Sequence, residues 1–156
     1  MSIEKVREYF KQYGIEDRIL EFEVSSATVA LAAEALGCEP QRIAKSLSFN
    51  VDGQCVLVVA AGDAKVDNGK FKAFFGTKAK MLPFDEVAAI CGHAAGGVCP
   101  FAVNEGVKIY LDETLKRFTT VFPAAGSSNS AIELTIAELE KYSKYIEWID
   151  VCKLPC

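Results

Sequence analysis

Ala44-Lys45-Ser46-Leu47-Ser48-Phe49-Asn50-Val51-Asp52-Gly53-Gln54-Cys55-Val56-Leu57-Val58-Val59-Ala60-Ala61 is the stretch that decides the fold. Leu47, Phe49 and Val51 alternate with Ser46, Ser48 and Asn50, the period of a half-buried strand. Asp52-Gly53 is a pair that tolerates the positive φ angles of a two-residue hairpin turn. Residues 54–61 then return as an apolar run, which reads as a central strand buried on both faces. Such a hairpin makes at least part of the sheet antiparallel. Lys45 falls where a short helical turn, with Pro40 at its first position, hands over to the first strand. Its side chain can project beyond the sheet end, where ligands are usually held.

Upstream of the hairpin, Ile3, Val6, Phe10 and Tyr13 recur at helical spacing up to Gly14. Leu20, Phe22 and Val24 alternate with glutamates and predict a strand over 20–24. Ser26 or Thr28 caps an alanine-rich helix over 29–36 that Gly37 ends. Downstream, Asp67 caps a helix over 68–75 that Gly76 closes. A short strand over 78–82 and a short helix over 83–91 follow. Strands are expected over 107–111, 118–123, 131–134 and 145–151, with a helix over 136–142 started by the capping box of Thr135 and Glu138. Many strands among short helices imply an α/β (α+β) domain whose sheet is mixed rather than a regular βαβα ladder.

The chain has 156 residues, half of them apolar, which suits a single domain over 1–156 with a real core. Its first residues are charged and helical rather than a signal sequence, and the longest apolar run is too short to cross a bilayer. A cytoplasmic location without membrane contact is the expectation. Six cysteines, Cys38, Cys55, Cys91, Cys99, Cys152 and Cys156, contain no C-x-x-C pair. They predict reduced, mostly buried thiols, with neither a metal site nor a disulfide framework. A formal charge of −4 argues against indiscriminate coating of nucleic acid. Between Ala64 and Leu82, however, Lys65, Lys70, Lys72, Lys78 and Lys80 face only Asp67, a local sum of +4 that leaves −8 on the rest. That polarity can turn one end of the molecule toward phosphates, or it can simply be a solvated face.

Gly92-His93-Ala94-Ala95-Gly96-Gly97-Val98-Cys99-Pro100-Phe101 holds the only histidine and three of the eleven glycines. Adjacent glycines let the backbone curl until successive amides point into one space, a main-chain surface for an anion. The stretch is neither a dinucleotide fingerprint nor a phosphate loop, and a plain connection closed by Pro100 is the alternative. A second small-residue loop runs over 124–130 and contains Gly126 and Ser127.

Four motifs in order, Ile43-Ala44-Lys45-Ser46-Leu47, Gly62-Asp63-Ala64-Lys65-Val66-Asp67 with Lys70, the 92–101 stretch, and Ala125-Gly126-Ser127, resemble the signature of the YbaK/ProX family. These are trans-editing aminoacyl-tRNA deacylases related to the editing insertion of bacterial prolyl-tRNA synthetases. The likeness runs from about Ser26 to about Tyr142. It implies a mixed, mostly antiparallel sheet or partial barrel flanked by short helices, an aminoacylated tRNA 3′ end as partner, an aminoacyl-tRNA synthetase as a further one, and no cofactor. In the family, the lysine matching Lys45 is essential, and the loop matching Gly96 and Gly97 holds the ester end. Asp63, His93, Pro100, Phe101, Gly126 and Ser127 are carried over as substrate-binding positions, and the five lysines as a tRNA-binding patch. The chain departs from the pattern at Ala102, commonly glycine, and over 127–130, near which the synthetase insertion has a histidine.

The chemistry agrees with that resemblance. An aminoacyl ester on ribose is already activated, so a protein must fix it, admit water and stabilise the oxyanion. Backbone amides of Gly96, Gly97 and Val98 suit the oxyanion, and Lys45 suits the phosphate or ester oxygen. Small amino acids such as Ala, Ser, Cys or Thr are the expected cargo. His93 could serve as a base or could pin the loop. Two rivals are a non-catalytic module that binds the aminoacylated CCA end or a nucleotide, and a thiol esterase built on His93 with Cys91 or Cys99.

Overall fold

A computed structural model describes residues 2–155. In chain order the elements are α1 (Ser2–Lys11), β1 (Ile19–Glu21), α2 (Val29–Leu36), β2 (Ile43–Val51), β3 (Gln54–Ala61), β4 (Lys65–Val66), α3 (Asn68–Phe75) and α4 (Val87–Cys91). Then come β5 (Lys108–Asp112), β6 (Thr120–Pro123), β7 (Ser130–Ile132), β8 (Leu134–Thr135), α5 (Ile136–Ser143), β9 (Trp148–Ile149) and β10 (Cys152–Lys153). Six strands form one curled sheet in the order β8-β6-β2-β3-β5-β9, a half-barrel of an α+β fold. The hairpin β2–β3 is its spine, antiparallel from Ala44↔Ala61 to Val51↔Gln54. Its turn has φ +50° at Asp52 and +83° at Gly53, the two positive angles that the pair predicts. β6–β8 is also antiparallel, whereas β2–β6, β3–β5 and β5–β9 run parallel.

The helix boundaries follow the caps. Thr28 Oγ1 accepts the Leu31 amide, Asp67 accepts the Lys70 amide, and Thr135 with Glu138 closes a full capping box. Strands over 20–24, 78–82 and 145–151 are shorter than their alternation suggests. The first is only β1; beyond it the Phe22 amide still reaches the Asn129 carbonyl in the register of β1 with β7, and Leu20 and Val24 are exposed. Within 78–82, one bridge from Met81 to Phe49 replaces a ladder. Of the third only β9 forms, in the main sheet, and β10 pairs with β4 just beyond it.

One break in the sheet sets up everything that follows. β6 pairs with β2 at Ile43↔Phe122 and Ala44↔Pro123, and there the pairing stops. Pro123 has no amide to carry a ladder further. Farther along β2, the Leu82 amide reaches the Ser48 carbonyl and the Asn50 amide reaches the Lys80 carbonyl. Between these two partners the outer edge of β2, over 45–47, faces a gap.

Candidate active site

The gap is a cavity of about 470 Å³. β2 passes it edge-on, so that Lys45, Ser46, Leu47 and Ser48 in succession line it. Ala95, Gly96 and Val98 close it from the 92–101 loop, and Ser26 to Val29 close it from the start of α2. The rest of the wall is largely aliphatic.

The 92–101 loop is a turn whose Gly97 amide donates to the Ala94 carbonyl at 3.0 Å. Gly96 sits at the third position of that turn with φ +92°, an angle that favours glycine. Gly97 is needed for a different reason. A Cβ there would lie 2.8 Å from three backbone atoms of Ser127, so the two small-residue loops meet in direct main-chain contact. The expected cradle of three amides is therefore corrected: the Gly97 amide is spent inside the turn. Those of Gly96 and Val98 carry no such bond among the described residues.

The Lys45 ammonium donates to the carbonyls of Ala64 and Gly62 at the end of β3. An ammonium has three donors, so one remains after these two. Both acceptors are neutral, and the positive charge stays uncompensated by them. Burial pushes the lysine below its usual range, while Asp63 pulls the other way. The turn that offers these carbonyls packs on the Pro40 segment so closely that a Cβ on Gly62 would sit 2.1 Å from the Pro40 carbonyl oxygen. This close approach accounts for the glycine in the Gly62-Asp63-Ala64 motif.

Several expected substrate contacts lie elsewhere. Asp63 makes a two-pronged ion pair with Arg117, at 2.6 and 3.1 Å, which holds its carboxyl below the usual range, and it does not line the cavity. His93 is fully buried, with Nε2 2.6 Å from the Phe101 carbonyl and Nδ1 without a partner. Burial lowers its pKa, and because a carbonyl only accepts, Nε2 donates its proton to Phe101. Pro100 and Phe101 are buried, and the Phe101 ring packs on Phe10 at 4.8 Å. Gly126 is buried, and Ser127 Oγ bonds to Asn129 and Ser130. These residues shape the wall from behind.

The thiol esterase is corrected as well. Cys99 is sealed from solvent, its thiol pushed up to about 12 by burial, and Cys91 is equally buried beside Cys55, with sulfurs 3.3 Å apart. Neither thiol opens on the cavity. Five described cysteines are free, and Cys156 lies outside the described residues. Among the described residues, no three His, Cys, Asp or Glu side chains gather as metal ligands, and no helix is long and apolar enough to cross a membrane. Of the basic patch, Lys65, Lys72, Lys78 and Lys80 are exposed, whereas Lys70 is tied to Asp150 and the Cys152 carbonyl, each at 3.0 Å. β10 adds Lys153 directly across from Lys65.

Two polar groups at the cavity carried no recognisable signal. Ser46 Oγ is buried without a partner, and Ser130 stands on the opposite wall. Nothing in the spacing separates Ser46 from any other polar residue of an alternating strand. Only the end of the β2–β6 pairing singles it out.

Residues 23–142 match the aminoacyl-tRNA editing domain family, and the chain belongs to it. It is 56% identical over 154 residues to the uncharacterized protein YwhH of Bacillus subtilis (strain 168), covering 98% of each chain. It is 30% identical over 125 residues to a proline–tRNA ligase of Lactobacillus gasseri, covering 80% of this chain and 22% of the ligase. The chain thus spans about a fifth of that much longer relative. A solved structure proposed to be a trans-editing enzyme for prolyl tRNA synthetase superposes with TM-score 0.86 at 28% identity, over 97% of both chains.

Proposed function

We propose that this chain is a trans-acting aminoacyl-tRNA deacylase. It hydrolyses the ester between a small amino acid, such as Ala, Ser, Cys or Thr, and the 3′-terminal ribose of a wrongly charged tRNA. Water is the nucleophile, and no cofactor takes part. One observation carries the reading: Lys45, whose ammonium is fixed by two carbonyls, and Gly96 and Val98, whose amides are unspent, line the same small cavity. Aliphatic walls from Val29, Ala32, Ile43 and Val87 suit a short side chain.

Within this reading, Lys45 uses its third N–H to hold the ester or its neighbouring phosphate. The amides of Gly96 and Val98 meet the oxyanion as the tetrahedral intermediate forms. A single preorganised donor of this kind is worth ~10²- to 10³-fold in rate. Exposed Lys65, Lys72, Lys78 and Lys80 receive the tRNA backbone, and the relatives' names make tRNA charged by proline–tRNA ligase the first candidate substrate. The synthetase itself is a candidate partner, and the cytoplasm the place of action. The test is a panel of tRNAs charged with each small amino acid, mixed with wild type and with Lys45→Ala. Release of one amino acid by wild type and none by the variant is expected; equal release by both, or release by neither, ends the reading.

A further inference from the structure

Phe84 and Met81 stand on the wall of the cavity yet leave 82% and 56% of their surfaces exposed. Exposed side chains of this size contribute nothing to the core, and the chemistry of ester cleavage does not call for them. Their segment is firmly placed. The Asn50 amide holds the Lys80 carbonyl at 2.8 Å, the Leu82 amide holds the Ser48 carbonyl at 3.0 Å, and the Glu86 amide closes a turn on the Pro83 carbonyl at 2.9 Å. The ring of Phe84 is thus presented at the mouth on a fixed backbone.

Charge along the segment is asymmetric. Lys78 and Lys80, both exposed, precede the ring, and Asp85 and Glu86, also exposed, follow it. An exposed apolar ring with cations before it in the chain and carboxylates after it fits a planar group attached to a single phosphate tail. A second copy of this chain, with its net negative charge, or an anionic lipid would meet Asp85 and Glu86 as readily as the lysines.

We infer that Phe84 is a platform on which the terminal nucleobase of the tRNA 3′ end stacks. The base lies on the ring, its phosphate runs toward Lys80 and away from Asp85 and Glu86, and the attached ribose ester points inward to Gly96 and Lys45. The inference rests on the deacylase reading for its ligand. Every base has a π face, so the platform tolerates a change of terminal base. Met81 forms the apolar floor beside it.

The probe is a short CCA-ended oligonucleotide carrying alanine in amide linkage, which cannot be hydrolysed, with 2-aminopurine as the terminal base. Wild type and Phe84→Trp should bind it and quench its fluorescence. Phe84→Ala and Phe84→Leu should bind ~5- to 100-fold more weakly and lose the quench, since one stacked base accounts for about that range. Hydrolysis of the alanyl ester of a methyl riboside, which has no base, should be equal in all four proteins. Wild-type binding and quench by Phe84→Ala overturn the platform, as does equal loss by that variant on the base-free ester. A fall in molar mass on sedimentation with oligonucleotide binding unchanged assigns the surface to self-association and overturns it too. If wild type binds and quenches but hydrolyses no charged tRNA, the platform stands and the deacylase reading fails.

Discussion

The 92–101 loop has two sides that differ in kind. Its inner side holds His93, Cys99 and Phe101, all fully buried, with the imidazole bonded to a carbonyl and the thiol 3.5 Å from the ring. Its outer side presents Ala95, Gly96 and Val98 to the cavity, with no titratable side chain among them. The groups that look reactive in the sequence are the ones that hold the loop. The backbone they hold is what lines the cavity. Reactive-looking side chains and accessible chemistry thus separate within ten residues, and substitutions on the two sides should separate activity from stability.

The largest effect belongs to the cavity side. Lys45→Ala should lower deacylation by at least ~10²-fold, while a thermal melt stays close to wild type because the lysine is only half buried. Cys99→Ala, on the inner side, should keep the wild-type rate at full occupancy of the fold. A Lys45→Ala protein that melts far below wild type, or a Cys99→Ala protein that is folded and inactive, breaks the division.

Next comes His93. Its removal leaves the Phe101 carbonyl with only the weak Cys99 thiol as donor and opens a cavity in the core, so His93→Ala should cost ~2–4 kcal/mol in denaturant unfolding, with turnover per folded molecule unchanged. The pH dependence has a defined sign. Burial lowers the folded pKa of His93; as pH falls below about 6.5 the unfolded chain binds a proton that the folded chain resists, and stability is lost. Between pH 8 and pH 5 the stability gap between wild type and His93→Gln should therefore shrink. A gap that widens in acid would mean a charged imidazole in the folded loop.

Gly97 joins the two sides, because it packs on the Ser127 backbone. Gly97→Ala should cost ~1–3 kcal/mol, and because backbone cannot swing aside as a side chain can, it should also depress turnover by displacing the amides of Gly96 and Val98. Loss of stability with turnover intact would show that the two small-residue loops can part without disturbing the cavity.

Much of this arrangement was legible in the residues, and what was not has a physical reason. Asp52-Gly53, Thr28, Asp67 and the Thr135–Glu138 box are local signals, satisfied within a few residues of where they occur, and each placed its element. The cavity depends on where β6 leaves β2, which is a long-range pairing that ends at a proline, and only Lys45 and the glycines hinted at it. Asp63, His93, Pro100 and Phe101 sit in the motifs that carry the family likeness, yet their positions in the sequence could not distinguish a group that touches the cavity from one that braces its wall. Phe84 falls in the short helix expected over 83–91, whose spacing does not foretell that its ring stands exposed.

The smallest effect lies at the point where the chain departs from the family pattern. Ala102, where the resemblance leads one to expect glycine, has the left-handed angle, φ +52°, that a glycine would adopt freely. The methyl group is strained in a region that disfavours any side chain. Ala102→Gly removes that clash but gives the unfolded chain more freedom, so the net gain should be only ~0.5–1 kcal/mol. The gain should appear in the unfolding midpoint with the deacylation rate unchanged, since Ala102 does not line the cavity. Destabilisation instead would mean that the methyl group's packing against the core outweighs the strain, and that the departure from glycine tightens the inner side of the loop.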